Sequence, residues 1–224
     1  MSTAGGDAQD GRQGPLSAKG ERTRARLLTA AKQVFEQAGF VNARIADIAE
    51  TADLATGAFY HYFDSKEQVF REVAAAQEQR LTAPPDRPEE LLAESGIERI
   101  RAAIRGYLER YRAEAALMGV IEQVSRYDAE VNAARMATTK LLSERAERSL
   151  RRAQDSDIVD NRVDPVMAAD MLSAMVTRFA ELWLVQGYRD YDLDEVVDQL
   201  TLLWTNALGM SQPPRRRLRP ARRT

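Results

Sequence analysis

The 224-residue sequence has no cysteine and a single histidine, His61. Without thiols there can be no disulfide staple, thiolate nucleophile or cysteine-ligated zinc, and the composition fits a reducing, cytoplasmic setting. One imidazole cannot build a multi-histidine metal site, so no metal or cofactor is expected. No apolar run approaches the ~20 residues of a membrane-spanning helix; the longest tracts are short pieces such as 182–185. The first twenty residues lack the apolar stretch of a secretory signal. Charge of one sign is not in excess either. With 32 Lys plus Arg against 34 Asp plus Glu, the net charge is −2, so any nucleic-acid-binding surface must be local.

The eight prolines are clustered, and the long stretches between them are rich in Ala, Leu, Glu and Arg. Proline is excluded from helix interiors and these residues favour them, so an all-α fold of about nine helices is expected. The expected domains are a disordered leader at 1–19, a first helical domain at 20–81 that includes a connecting helix, a linker at 82–88, a larger helical domain at 89–210, and a flexible tail at 211–224. The tail carries six arginines and no acid, either as a solvated end or as an extra non-specific DNA contact.

In the first domain, Leu27, Leu28, Ala31, Val34 and Phe35 recur at helical spacing, and Gly39 follows where a helix would end. A short helix is expected over 45–52, a turn at Asp53-Leu54, and another short helix from Thr56 anchored by Phe59 and Phe63. Ser65 is the expected N-cap of a longer helix to about Leu81, with Gln68 closing a capping box. Three short helices with a tight turn between the second and third match a helix-turn-helix, whose last helix enters the DNA major groove.

Residues 22–73 resemble the N-terminal DNA-binding domain of the TetR family of transcriptional regulators. The resemblance lies in Ala31 and Phe35, Gly39-Phe40, Asp47-Ile48-Ala49, Gly57, the run Phe59-Tyr60-His61-Tyr62-Phe63, and Ser65-Lys66-Glu67. It implies that Tyr60 and His61 face DNA, that Lys66 touches phosphate, and that Thr56, Gly57 and Ala58 approach the groove. The family usually has glycine where Asp53 stands and small hydroxyl residues at Ala43, Arg44, Ala55 and Ala58. Asp tolerates the left-handed backbone of such a turn. Arg44 is expected to replace a lost hydroxyl at the DNA backbone. Arg22, Arg24 and Arg26 either reach the duplex or form a solvated helix face.

In the larger domain, Ile97, Ile100, Ile104, Tyr107, Leu108 and Tyr111 make one amphipathic stripe, and Asp128 is the expected N-cap of a long helix. Asp164-Pro165 opens a helix to Gly187 that is apolar nearly all round, and a final helix over 194–207 is similar. Two such helices suggest self-association, and the family resemblance implies a homodimer whose interface includes Leu172, Val176, Ala180, Val197, Leu200 and Trp204. A second row on the same helix, Met167, Met171, Met175, Phe179 and Trp183, is either core packing or the lining of a cavity for a hydrophobic ligand together with Tyr107, Tyr111 and Met118.

The expected function is a ligand-responsive regulator, most simply a repressor that holds a palindromic duplex as a homodimer until a small hydrophobic effector releases it. The chain is not expected to be an enzyme: it has no GxxxxGK, HExxH or GxSxG. The competing accounts are a helical adaptor that has lost DNA binding and an enzyme using Glu109, Glu114 or Glu122.

Overall fold

Short polar side chains start the helices of this chain. In the computed structural model, which describes residues 17–83 and 95–210, the Ser17 hydroxyl accepts from the Gly20 N–H and opens α1 (Ala18–Asn42), ahead of the boundary expected at 20. The rest of the expected leader, most of the linker and the arginine tail lie outside the described residues. Helix α1 bends at Gly39, whose φ of 72° an L-residue adopts only with strain. Then come α2 (Ile45–Thr51), α3 (Thr56–Phe59) and α4 (Lys66–Leu81). Asp53 takes the left-handed turn between α2 and α3 with φ 52°. The Ser65 hydroxyl accepts from the Gln68 N–H at 3.1 Å, but the Gln68 side chain accepts from Asp64 N–H at 2.6 Å, so the capping box closes one residue upstream of its usual partner.

The larger domain comprises α5 (Gly96–Ala113), α6 (Ala115–Ser125), α7 (Ala129–Gln154), α8 (Pro165–Ala180) and α9 (Leu193–Ala207). Among the described residues the chain thus makes nine α-helices and no strand. Asp128, Asp164 and Asp192 cap α7, α8 and α9 by accepting first-turn N–H groups. Helix α8 runs on into a π-helical turn, Glu181–Val185, and the chain reverses at Gly187 with φ 60°. Gly119 of α6 admits this turn: a Cβ there would stand 2.9 Å from Val185 Cγ1.

One continuous core joins both domains. The first half of α4 buries Val69, Phe70 and Val73 against α1; its second half buries Gln77, Glu78 and Leu81, and the helix lies along α7. Helix α1 also packs on α6, where Lys32 bridges Glu36 and Glu114 at 3.0 and 2.8 Å. Helix α4 is therefore a strut shared by both domains. No helix among the described residues is long and apolar enough to cross a membrane.

Candidate functional site

The first domain holds its exposed face by burying what lies behind it. Phe59 and Phe63 are fully buried 5.5 Å apart, and between them Tyr60 and His61 point outward, with Tyr60 56% exposed. Thr56 and Gly57 are exposed and Ala58 is half-buried on the same short helix. No atom stands within 4 Å of a Cβ added at Gly57, so the backbone there is open to close approach. Hydroxyl, imidazole and backbone N–H groups gathered on one short helix and the turn that follows it suit hydrogen bonding to phosphate oxygens. Arg44 stands at the N-cap of α2 with its side chain largely exposed, held at 3.1 Å by Asp47.

Lys66 departs from its expected role. Its ammonium donates to the carbonyls of Phe40, Val41 and Ala43 at 2.8, 3.3 and 2.9 Å and lies 4.6 Å above the Phe40 ring. Three donors and three acceptors leave it nothing to offer a phosphate; the Gly39 bend has gathered those carbonyls, and Lys66 staples α1 to α4. Arg24 and Arg26 are likewise engaged by groups of their own chain, although Arg26 stays exposed. Arg24 pairs with Glu72 and covers the Phe63 ring at 4.9 Å. Arg26 donates to the Ala52 and Asp53 carbonyls and so ties the α2–α3 turn to α1. The N-caps of α2 and α3, Arg44 and Ala55, make no side-chain cap bond, as expected where the hydroxyls are missing.

The second site is a cavity of about 380 Å³ in the larger domain, between α5 and α7. Ile104, Tyr107, Leu150, Val176, Trp204 and Met210 are among its walls. The indole N–H of Trp204 has no hydrogen-bond partner among the described residues. Of the expected lining only Tyr107 takes part. Tyr111, Met118 and Trp183 are buried elsewhere in the core, Met175 and Phe179 are half-buried, and Met171 is 63% exposed. Phe179 and Trp183 form an aromatic cluster with Tyr191 instead, at 5.8 and 6.3 Å.

The expected interface set is corrected in the opposite sense. Leu172, Val176, Ala180, Val197, Leu200 and Trp204 are all buried within the single chain, where α8 packs on α7 and α9 on α5. A side chain already covered by its own chain has no surface to offer a partner. The apolar groups that α8 and α9 leave outside are Val166, Met167, Met171 and Leu203.

Beside these sites lies a buried polar group. Glu78 of α4 is buried, and loss of water raises its carboxyl above the ordinary range, against the opposing pull of Thr138 and Arg135. Burial likewise pushes the Tyr107 and Tyr111 phenols up, so both stay neutral. The carboxylates considered for catalysis are each paired: Glu109 with Arg105, Glu114 with Lys32 and Glu122 with Arg126.

Residues 27–73, which hold this exposed face and its supporting core, match the family described as bacterial regulatory proteins, tetR family. In this segment the chain is similar to the TetR family. Among curated TetR-like relatives, it is 35% identical over 82 residues to the HTH-type transcriptional regulator YdgC of Bacillus subtilis, covering 37% of this chain and 40% of that protein. It is 39% identical over 64 residues to the HTH-type transcriptional repressor NemR of Escherichia coli, covering 27% and 32%. These matches span less than half the length of either relative. The TetR-like fold extends further. The FadR regulator of Bacillus subtilis, solved in complex with stearoyl-CoA, aligns with a TM-score of 0.65 at 17% identity over 80% of this chain and 96% of that one. PfmR of Thermus thermophilus, also a TetR-family regulator, aligns with a TM-score of 0.62 at 20% identity over 84% and 100%.

Proposed function

We propose that the protein is a cytoplasmic, ligand-responsive transcriptional repressor that binds a palindromic duplex as a homodimer and lets it go when a small apolar effector fills the larger domain. The observation that carries the reading is the exposed row Thr56, Gly57, Tyr60 and His61, set outward by the buried Phe59 and Phe63 within the segment that matches the family. Arg44 adds an exposed cation at the start of α2, and Lys66 positions α4 from behind. NemR is described as a repressor, which favours that direction of control.

Dimerisation is supported by Met167 and Met171 of α8 and Leu203 of α9, at 57, 63 and 52% exposed, long apolar side chains that the described residues leave in water. A two-fold pair would present two α3 helices about one duplex turn apart. An effector acts through α4. A ligand that prefers one placement of α5 and α7 shifts the strut and with it the spacing of the two reading helices; moving such an equilibrium from 1:99 to 99:1 takes roughly 5.5 kcal/mol of differential binding.

The test is duplex binding, by fluorescence anisotropy, of the wild-type protein and a Tyr60→Ala, His61→Ala double variant. The double variant is expected to lose at least about 10-fold in affinity at unchanged melting temperature, since each lost hydrogen bond to phosphate contributes on the order of 1 kcal/mol. Undiminished affinity would remove α3 from the interface.

A further inference from the structure

We propose that the cavity between α5 and α7 selects a largely apolar ligand that carries a carbonyl-type acceptor, and that the indole N–H of Trp204 on α9 donates to that acceptor. This rests on the effector reading above and names the chemistry of its ligand. Trp204 is 9% exposed and stands in the cavity wall, and its Nε1 is buried without a hydrogen-bond partner among the described residues. A buried donor in that state has given up its bond to water and received none in exchange, which native interiors rarely leave unanswered.

The chemistry of the indole decides what answers it. A hydroxyl both donates and accepts and turns to suit its neighbours, so the wall residues Tyr107, Ser149 and Ser173 impose no polarity on a ligand. An indole N–H donates only, along one direction fixed in the ring plane. A ketone, ester or lactone oxygen satisfies it and an alkyl group does not. Arg110 and Arg145, also in the wall, already donate to the Leu81 and Thr82 carbonyls.

The remaining wall suits the body of such a ligand. Ile104, Leu150, Val159, Val176 and Met210 are apolar, and small residues face one another across the slot, Ala103 and Gly106 on α5 and Ala146 and Ser149 on α7. The cavity of about 380 Å³ is roughly a dozen times the ~30 Å³ share of one water, which is room for an organic molecule. An apolar body in the slot with its oxygen at Trp204 meets both halves of the wall.

The test is calorimetric titration of the purified full chain, without DNA, with 2-heptanone and 2-methyl-1-heptene, which differ only in that a methylene group replaces the carbonyl oxygen. The affinity of the ketone relative to the alkene is compared between the wild type and Trp204→Phe; the probes share one shape, so the altered packing of the variant cancels in the ratio. Loss of one hydrogen bond corresponds to a fall of about 5-fold in this ratio. An unchanged ratio, which a water bound at the indole would give, or no binding of either probe to the wild type overturns the proposal. Ala146→Leu, which narrows the slot and leaves the indole in place, should weaken both probes alike; undiminished binding puts the ligand elsewhere and overturns it too. The infrared carbonyl band of 2-heptanone bound to the wild type gives a reading that needs no change at position 204: it should lie below its position in heptane, and an unshifted band removes the donor. None of these readings uses DNA. A chain that passes them and binds no duplex would sink the regulator reading and leave this one standing, whereas a chain that binds a palindrome with an unchanged ratio would do the reverse.

Discussion

Lys66 is placed where a lysine could be taken for a DNA contact, yet its ammonium is spent on the carbonyls of Phe40, Val41 and Ala43. The DNA-facing assignment implied by resemblance depends on sequence position, which does not show where a flexible four-carbon stem folds back. Lys66→Ala removes the donor from the Phe40 and Ala43 carbonyls, where the bonds are part-buried, and from the exposed Val41 carbonyl, and with hydrogen bonds to charged groups at ~1.5–3 kcal/mol, a loss of about 2 kcal/mol of stability is expected in denaturant melts. Asp53 supplies a test of opposite sign. It holds φ 52° with its side chain fully exposed, so Asp53→Gly should gain about 1 kcal/mol by relieving the left-handed backbone. Glu78 makes stability depend on pH. Its folded pKa is raised by burial, so the folded state binds the proton more tightly than the unfolded chain, whose value is near 4.5. Stability is therefore greatest below that value and falls as pH rises through the raised one; Glu78→Gln should flatten this slope in melts recorded across mildly acidic to neutral pH.

At the scale of elements, the starts of helices were legible because a cap is a local contact: Ser65, Asp128 and Asp164 are all where the spacing of short polar residues puts them. The missing caps are legible in the same way. Ala55 has the extended backbone of an N-cap (φ −67°, ψ 145°) without a side-chain acceptor, so Ala55→Ser should stabilise α3 by about 1 kcal/mol, read as a melting temperature higher by roughly 2–4 °C. Which side of α8 faces inward was not legible. Residues four apart advance about 40° beyond a full turn at 3.6 residues per turn, so the row from Met167 to Trp183 swings through about 160°. The structure follows that drift: Met167 and Met171 are exposed, Met175 and Phe179 half-buried and Trp183 buried. The adjoining row, Leu172, Val176 and Ala180, takes the core side, and of the three Val176 lines the cavity. An apolar helix with two buried faces cannot say from its own sequence which face belongs to its own chain. The cavity, too, left a signal that went unread: small residues at Ala103, Gly106, Ala146 and Ser149, flanked by arginines at helical spacing on two helices.

At the scale of the molecule, the account requires two chains, one duplex and a strut between reading head and cavity. The exposed apolar groups on α8 and α9 belong to this scale, because none of the described residues covers them. Met171→Glu with Leu203→Glu puts a charge at an exposed position of each of the last two helices without touching the core, so sedimentation should show a dimer in the wild type and a monomer of unchanged helicity in the double variant. A wild-type monomer would separate the face from assembly. The long-range coupling rests on α4, which shares the core of both domains and whose last carbonyls are held by Arg110 and Arg145. The central claim is that the whole assembly reads a particular DNA sequence. It is tested most directly by selecting bound duplexes from a randomised pool with the purified protein at several salt concentrations, sequencing them and measuring stoichiometry on the winner. The account predicts an inverted repeat bound by two chains, with half-sites about one duplex turn apart and a preference that survives at salt concentrations where non-specific binding has gone. Recovery of no motif, with binding that simply fades as salt rises, would contradict it.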